Sequence, residues 1–595
     1  MRPLALIAAA SFAFPTAPAQ AARKATATPA TSATSTTSAT LVASTTTQAT
    51  VSESPVPVSA SDIPPAGRKL SANQVLAIAR ALPRMKALRA EHPGSYDGAY
   101  LKGPVRWQVS LFSKKGAKEI GQVIIADESG RVLEQWTGFQ VAWTMARGYP
   151  GAFGRHVNAL YIWLPLCLLF VLPFVDPRRP LSLLHLDLLV LLSFSVSLAF
   201  FNHGRIYASV PLAYPPLAYL LGRMLWLLRR RPRPARPLRL LVPWPWLAFG
   251  VVFLLGFRVA LNVIDSNVID VGYAGVIGAQ RIVDGRPLYG GWPQDNEHGD
   301  TYGPSAYEAY VPFQQVFGWG GTWDELPAAH GAAIAFDLLA LGLIFMLGLR
   351  IRGPTLGVAL AYAWVAYPFT LFALESNSND TLVAVLVLAA LLLAGSAPAR
   401  GAFAALAGLT KLAPLALAPV LATHGLRGLP ARRRPRVLAA FVLAFVLVGA
   451  LASIPALTND SLNAIYQRTI AYQADRGSPF SVWGLYGGLH GLQTAVQIGA
   501  VLLALALALV PRRPDVVGLA AACAAILIAT QLGVEHWFYL YVPWFFPLAM
   551  IALLGARARP AGEGSTPAWP ATASRDAASG SARSSPLAVA WRSNG

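Results

Sequence analysis

Charged residues are scarce in this sequence. Asp, Glu, Lys and Arg make up 13% of its 595 residues, whereas 55% are hydrophobic, and soluble domains carry about 25% charged residues. A single soluble core of this length is also excluded, because cores stop growing at about 250–300 residues. The low charge therefore excludes an ordinary cytosolic enzyme and favours a protein that crosses a membrane many times.

Cysteine is almost absent, and the few acidic residues are outnumbered by basic ones. Cys167 and Cys523 both lie in apolar runs, which excludes a disulfide framework and a thiolate metal site. The formal net charge is +20. The arginines stand in short runs between apolar segments, where they orient a membrane protein rather than contact a phosphate backbone. We therefore expect the lipid bilayer, and no nucleic acid, as a partner.

The first 67 residues are predicted to direct export and then to form a flexible tether. Residues 1–21 combine Arg2, a short apolar stretch and the Ala19-Gln20-Ala21 sequence, which together are typical of a cleaved signal peptide. An uncleaved anchor is the alternative. Residues 22–67 are rich in Thr, Ser, Ala and Pro with few large apolar side chains, so we expect this tether to be disordered.

Residues 68–148 have the pattern of a small α+β domain outside the membrane. Ser71 and Gln74 have the spacing of a capping box, and apolar residues then recur at helical intervals (Val75, Leu76, Ala79, Leu82). Three strand-like runs follow, at Val105–Phe112, Glu119–Asp127 and Val132–Gly138. The spacing within these runs, with Trp107, Val109, Asp127 and Gly130, resembles a PepSY-type domain. We expect an interaction or regulatory module rather than a catalytic one.

Eleven apolar runs are long enough to predict membrane crossings. They lie at 157–175, 181–201, 209–228, 243–264, 330–349, 355–374, 380–395, 437–455, 491–510, 516–532 and 537–555. With the N-terminal domain outside, the basic clusters that end the odd-numbered runs fall on the inside, as the positive-inside rule requires. The C-terminal tail, residues 560–595, is then predicted to be disordered and cytoplasmic.

One further apolar segment, 401–424, does not fit a simple crossing. The basic cluster at 432–436 follows it and would face outside if the segment crossed. Lys411 and Pro414 lie at its middle, so we predict two half-helices that enter the membrane and return to the cytoplasmic side. Broken backbone at membrane depth is tolerated where protein or a water-filled cavity surrounds it.

The long loops, 265–329 and 456–490, are then external. The first contains Asp270 and an amphipathic helix that ends near Gly285, followed by Tyr289 and by Tyr302-Gly303-Pro304. This order resembles the integral-membrane glycosyltransferases of the C-type fold, most closely the family 87 mannosyltransferases that use polyprenol-phosphate-mannose. The resemblance covers about residues 243–555. It implies an all-α polytopic membrane bundle, to which this chain adds the N-terminal domain and three helices within 157–228.

The resemblance puts Asp270 in the position of the general base. A sugar hydroxyl that attacks an anomeric carbon must lose its proton, and a carboxylate at the membrane surface can accept it. Two alternatives stay open, namely that Asp270 only caps the amphipathic helix or that Asp265 is the base.

Further candidates for binding the acceptor or the sugar lie in the external loops. Asp300 and Tyr302 are in the first loop, and Asp300 is alternatively a turn residue. Glu375, Asn377 and Asp380 lie in a short outer loop and suit sugar hydroxyls. The alternative for these three is a polar turn in which Asp380 caps the next helix.

Four basic residues are candidates for holding the donor phosphate. A lysine at membrane depth costs about 2.5–3.5 kcal/mol, so Lys411 needs an anionic partner or must reach the headgroups. Gly408, Lys411 and Pro414 resemble a stretch that these glycosyltransferases often carry. Arg468 and Arg476 lie in the second external loop, where Arg476 opens an R-x-S-P-x-S-x-W sequence that also resembles the family. Guanidinium groups fork onto phosphate oxygens, although both arginines could be solvated loop charges. His536 is a weaker candidate.

The sequence thus predicts a hexosyltransferase in the cell membrane. Its donor is a polyprenyl-phosphate sugar, most plausibly mannose, and its acceptor an extracytoplasmic glycan or glycolipid. The predicted reaction inverts the anomeric centre and needs no metal and no cofactor beyond the lipid-linked sugar. The alternatives are a transporter or flippase of lipid-linked sugars, which would favour two matching broken halves, and a non-catalytic scaffold.

Overall fold

The computed structural model describes residues 55–148, 153–229, 238–510 and 513–556. The predicted signal peptide, most of the predicted tether and the predicted C-terminal tail lie outside these residues. Within them, a small sheet domain precedes a large bundle of helices.

The N-terminal domain packs two helices on one face of an antiparallel sheet. Its elements are β1 (Val56–Val58), α1 (Ala72–Ala81), α2 (Pro83–Glu91), β2 (Tyr96–Lys102), β3 (Arg106–Phe112), β4 (Glu119–Ala126) and β5 (Val132–Thr137), with sheet order β1-β2-β3-β4-β5. The Ser71–Gln74 capping box is present. Asp127 joins the helix to the sheet, because it accepts the Lys69 and Leu70 amides and the Trp107 indole N–H at 2.8–3.1 Å. The helix and the three predicted strands are therefore confirmed, and the PepSY resemblance stays a prediction.

Two strands of this sheet differ from the expectation. β2 was not predicted, and β1 lies inside the predicted tether. Val56–Val58 pairs with Leu101–Ala99, so the tether is ordered over these residues. Pro57 is tolerated there because β1 is an edge strand, where a proline without an N–H need not interrupt the ladder.

Long apolar helices make up the rest of the chain. The N-terminal ones are α3 (Phe139–Ala142), α4 (Leu160–Val171), α5 (Leu183–Asn202), α6 (Ile206–Leu212), α7 (Tyr214–Arg229) and α8 (Trp244–Asp265). The central ones are α9 (Asp270–Val283), α10 (Pro304–Glu308), α11 (Val311–Phe317), α12 (Pro327–Arg352), α13 (Pro354–Ala366), α14 (Pro368–Glu375), α15 (Asp380–Leu392), α16 (Ala397–Thr410) and α17 (Ala418–Thr423). The last are α18 (Arg434–Ala452), α19 (Ile454–Asn459), α20 (Leu462–Tyr466), α21 (Tyr472–Asp475), α22 (Val482–Leu485), α23 (His490–Leu509), α24 (Val516–Gly533) and α25 (Val542–Gly555).

The described residues contain six helices long and apolar enough to cross a membrane. The number rises to seven if α13 and α14, which meet at a 56° bend, form one span. Helices overlap all eleven predicted apolar runs, but several are shorter than a full span, so eleven crossings are not confirmed. A mostly helical membrane protein with a small sheet domain is what the structure supports.

Buried ion pairs connect the helices and select which of their faces meet, which non-directional apolar packing cannot do alone. Arg258 of α8 pairs with Asp337 of α12 at 2.5 Å, and the Trp364 indole N–H donates to the same carboxylate. Among the additional helices, Arg223 pairs with Asp187 at 2.8 Å. Charged groups at this depth need such partners, so these pairs set which helix faces meet.

The broken segment predicted around Lys411 is present. α16 ends at Thr410, Lys411 is extended, a 3₁₀ turn covers Ala413–Leu417, and α17 follows. Arg400 near the start of α16 donates to the carbonyls of Leu421 and His424 at the end of α17. The two ends of the segment therefore meet, which is the shape of a hairpin with Lys411 near its tip.

Candidate active site

Asp270 is the first residue of α9 and lies five residues after Asp265, where α8 ends. The Asn296 side chain donates to the Asp270 carbonyl at 3.0 Å, and the carboxylate accepts from the Val271 amide. The helix N-cap is Ile269, which has no capping side chain. Asp270 thus carries part of the capping function while its side chain stays exposed to solvent.

The turn between α14 and α15 holds the start of α9 in place. Asn377 donates to Ser266 Oγ at 2.9 Å and to the Asn267 carbonyl, and it accepts from Asn262. A Cβ added to Gly272 would lie 2.2 Å from the Asn377 carbonyl oxygen. The backbones of α9 and of this turn are therefore in direct contact. This turn therefore acts as a clamp that positions Asp270.

The same turn departs from the predicted sugar-binding role. Glu375 and Asn377 are both fully buried, and neither Glu375 oxygen has a hydrogen-bond partner in the described part of the chain. The structure does not bring these two residues to an accessible surface. The reason is that the short loop folds inward against α8 and α9, where the Asn377 side chain and the Glu375 carbonyl bond to residues 262–267.

Lys411 and Asp380 form a buried ion pair. Lys411 Nζ lies 2.6 Å from Asp380 Oδ1, which also accepts the Trp544 indole N–H at 3.0 Å. The ammonium lies 5.3–5.5 Å from the ring centres of Tyr302, Tyr541 and Trp544, so it rests in an aromatic cage. Lys411 therefore has a protein carboxylate as partner. Asp380 is the first residue of α15, and the N-cap is Asn379.

Arg476 has no carboxylate partner among the residues that the structure describes. It directly follows α21, and its guanidinium carbon lies 5.5 Å from the Trp143 ring centre. Its Nε is buried with no hydrogen-bond partner among the described residues, and its charge acts on the Asp270 carboxyl. A buried guanidinium donor that lacks an acceptor is costly, and a bound anion would supply the missing acceptor.

His536 completes the group that we call the charged cluster: Asp270, Asp380, Lys411, Arg476 and His536. Its Nδ1 lies 2.9 Å from Ser478 Oγ, and its ring packs on Trp143 and Phe480. Burial lowers the pKa of His536, and the positive charges of Arg476 and Lys411 lower it further. The imidazole is therefore neutral at neutral pH and adds no third positive charge.

Solvent reaches the charged cluster although protein surrounds it. Asp270 is exposed, and Tyr302, Arg476, His536 and Tyr541 are half-buried. Burial nevertheless raises the pKa of Asp270 above its usual range, and the charges of Arg476 and Lys411 offset this only in part. Accessible side chains with a desolvated carboxyl indicate an open cleft whose walls exclude most water.

Asp300 and Arg468 form a second pair beside the cluster. Arg468 Nε lies 3.5 Å from Asp300 Oδ2, which also accepts the Gly290 amide at 2.6 Å. Burial raises the pKa of Asp300, while the Gly290 amide and Arg468 lower it. Burial raises the pKa of Tyr472, and the charges of Arg476, Asp300 and Asp270 also act on its hydroxyl.

Asp265 lies elsewhere. Its carboxylate accepts from the His156 amide at 3.2 Å and from the His156 ring, and Arg155 lies 4.0 Å away. Asp265 therefore ties α8 to the segment that follows the N-terminal domain. Of the two acidic candidates in the first loop, the structure brings only Asp270 to Arg476 and Lys411.

A family comparison covers most of the residues just described. Residues 301–534 match the family model described as Glycosyltransferase family 87. We call residues 301–534, which match this family model, the family 87 segment. The family 87 segment supplies Tyr302, Asp380, Lys411, Arg468 and Arg476, whereas Asp270 precedes it and His536 follows it.

The chain was also compared with solved structures and with curated proteins. The crystal structure of ArnT from Cupriavidus metallidurans bound to undecaprenyl phosphate is similar at 16% identity and a TM-score of 0.36, over 53% of this chain and 60% of that chain. The match therefore spans less than two thirds of that structure. No curated protein matches this chain.

Several residues around the family 87 segment had no sequence signal. Tyr541 and Trp544 complete the aromatic cage beside Tyr302. Asp460 accepts the Leu288 and Tyr289 amides at 2.8 and 3.0 Å, which holds the loops 265–329 and 456–490 together. Trp143 lies outside the segment altogether. An aromatic residue in an apolar run, or one carboxylate in a long loop, looks like packing or solvation until its neighbours are known.

Proposed function

We propose that this protein transfers a sugar, mannose, from a polyprenyl-phosphate donor to an extracytoplasmic glycan or glycolipid acceptor. One observation carries the proposal. The carboxyl of Asp270 is accessible to solvent and lies within electrostatic reach of Arg476, whose Nε has no hydrogen-bond partner among the described residues, beside the family 87 segment. One group can accept a proton, and the other can hold a phosphate.

Asp270 accepts the proton of the acceptor hydroxyl as its oxygen bonds to the anomeric carbon of the donor. The bond from that carbon to the phosphate oxygen breaks, and polyprenyl phosphate leaves. Attack from the side opposite the phosphate inverts the centre. The raised pKa of Asp270 makes it a stronger base than an ordinary aspartate.

Arg476 binds the departing phosphate, because its Nε is buried and has no hydrogen-bond partner among the described residues. Lys411 adds positive potential from its cage, although Asp380 already neutralises it. Arg468 and His536 border this position. Tyr302 lies beside Lys411, whereas Asp300 is fully buried and pairs with Arg468.

The exposed apolar faces of α18 and α23 support a donor that carries a lipid tail. These helices flank the hairpin that carries Lys411 and expose apolar side chains such as Leu443, Val446 and Leu502. A polyprenyl tail that lies along these faces has its phosphate near the charged cluster. A glycosyltransferase family match favours this reaction over the transporter alternative.

The test is transfer from labelled polyprenyl-phosphate mannose by the purified full chain. Asp270→Asn should lower the transfer rate by about 10²–10⁴-fold, the contribution of a general base, while polyprenyl phosphate still binds. Asp265→Asn is the matched control and should transfer normally, because Asp265 bonds to His156. Equal transfer by the Asp270→Asn variant and the unaltered chain would contradict the proposal.

A further inference from the structure

The segment after the sheet domain places an aromatic side chain in the charged cluster. α3 packs on β4 and β5, and Trp143 follows it directly. The Trp143 ring lies 5.3 Å from Phe480, 5.8 Å from His536 and 5.5 Å from the Arg476 guanidinium carbon. A residue of the N-terminal part therefore contacts the group that we propose to bind phosphate, and it lies outside the family 87 segment.

The segment that carries Trp143 is fixed on both sides. Arg147 donates to the carbonyls of Gln140 and Val141, and Gln140 donates to the Ala146 carbonyl at 2.9 Å. Its end meets the turn after α5 so closely that a Cβ added to Gly148 would lie 1.9 Å from the Gly204 nitrogen. These bonds hold the Trp143 ring as a rigid wall.

The guanidinium of Arg476 depends on this wall for its position. In the described part of the chain no hydrogen-bond acceptor holds its Nε, and no carboxylate lies within ion-pair distance of it. An arginine without polar partners samples many rotamers, and a stacked indole is the strongest aromatic support for a cation. The same stack hides the Arg476 face from water, which strengthens its attraction for an anion.

We propose that Trp143 is a positioning residue that holds Arg476 ready for the phosphate of a polyprenyl-phosphate donor. The inference rests on the proposed function, which supplies that ligand. It makes the N-terminal domain a component of the donor site, because the domain anchors the ring.

The primary test measures binding of undecaprenyl phosphate to the purified full chain without any transfer. Trp143→Ala should weaken binding by about tenfold or more, the effect expected from a desolvated cation–π contact. Trp143→Phe should lose less than half of that factor, since a smaller ring still stacks. The control is Trp136→Ala, because Trp136 stacks on Arg147 at 5.4 Å in the same domain and Arg147 keeps its backbone acceptors; its binding should be unchanged.

A double-mutant cycle separates positioning from general structural damage. If Trp143 acts through Arg476, the Trp143→Ala change should cost little in a chain that already carries Arg476→Ala. In transfer assays the KM for the donor should rise in Trp143→Phe, with the KM for the acceptor unchanged. A merely structural role would lower kcat and both affinities together.

The outcomes distinguish this inference from the proposed function. Normal undecaprenyl phosphate binding by Trp143→Ala, additive losses in the cycle, or no binding by the unaltered chain each overturn the inference. Transfer by the unaltered chain together with normal binding by Trp143→Ala leaves the proposed function intact. Binding that depends on Trp143 in a chain that transfers no sugar supports the inference and overturns the function. If Trp143→Ala does not fold, Trp143→Phe with Arg476→Ala gives the same cycle.

Discussion

At the scale of residues, the charged cluster holds two carboxylates and two cations, and only one carboxylate and one cation form an ion pair. Asp380 and Lys411 satisfy each other at 2.6 Å, whereas Asp270 and Arg476 have no partner within ion-pair distance among the described residues. The first pair shapes the cleft, because breaking a buried pair leaves an uncompensated charge. The second pair is available for chemistry, with one group to accept a proton and one to accept an anion.

The titration of Asp270 gives a prediction for pH dependence. Transfer requires its ionised form, so kcat/KM should fall as the pH drops through a pKa that burial has raised above the usual aspartate value of about 3.9. Arg476 lowers this pKa, so Arg476→Gln should move the acid limb of the profile to higher pH. The measurement is kcat/KM between about pH 4 and pH 8 for both chains.

The position of the limb is independent of the rate lost through weaker phosphate binding, so each profile is normalised to its own plateau. Asp265→Asn serves as the control and should leave the limb unmoved. An acid limb that stays in place or moves to lower pH in Arg476→Gln would show that another group is the base.

Lys411 illustrates what a residue alone can indicate. A lysine in the middle of an apolar segment predicts an anionic partner, and that prediction does not depend on the fold. The partner is Asp380, 31 residues earlier in the chain. The sequence alone was equally consistent with a lipid phosphate as the anionic partner. Which anion neutralises Lys411 is a question of distance, and only the packed helices answer it.

At the scale of elements, glycines at close contacts position the catalytic candidate. α9 begins at Asp270, and its first turn lies against the Asn377 carbonyl, with Gly272 as the residue of closest approach. A carbonyl oxygen of a clamped turn has little freedom to move. The helix can keep Asp270 at its place only while position 272 lacks a side chain.

Gly272→Ala should therefore displace the start of α9. An added Cβ at 2.2 Å from the Asn377 oxygen should lower the free energy of unfolding by about 1–3 kcal/mol. It should also slow transfer by up to about 10²-fold, since small misplacements of reacting groups have large effects on rate. Thermal unfolding in detergent and the transfer rate measure the two effects.

The matched control is Gly342→Ala in α12, where an added Cβ meets no atom within 4 Å. This change should leave transfer unaltered and stability the same or higher by up to about 1 kcal/mol, because alanine favours helix over glycine. Equal behaviour of the two variants would mean that the turn does not constrain Asp270.

Elements were predictable wherever the signal was local. The Ser71 capping box, the amphipathic helix over Asp270–Val283 and the break at Lys411 each follow from neighbouring residues. The edge strand Val56–Val58 was missed because its pairing partner, Ala99–Leu101, lies about 40 residues away. The inward fold of the Glu375–Asn379 turn was missed for the same reason.

At the scale of the whole molecule, the predicted orientation places the N-terminal domain and the charged cluster on one side of the membrane. Arginine runs at the other helix ends should then be cytoplasmic. The sheet domain contacts the cluster through Trp143, so both must lie on the same side. The hairpin of α16 and α17 explains why the basic cluster at 432–436 need not cross.

Cysteine labelling tests this orientation. In a chain with Cys167 and Cys523 replaced by alanine, Ser129→Cys should react with a membrane-impermeant maleimide while the cell membrane is intact, because Ser129 is exposed in the sheet domain. Ala431→Cys, exposed after the hairpin, should react only after lysis. The background chain without added cysteine is the control, and labelling of both positions in intact cells would overturn the topology.

Local patterns were enough to identify a helical membrane protein with a small sheet domain, because hydropathy, basic runs and capping depend on neighbouring residues. The sequence also pointed to Asp270, Lys411 and Arg476 through their order along the chain. The folded chain was needed to show that Asp380 pairs with Lys411, that the Arg476 Nε has no hydrogen-bond partner among the described residues, and that the Trp143 ring lies beside Arg476. Those contacts join residues tens to hundreds of positions apart, and their energies depend on burial and distance, which no local pattern encodes.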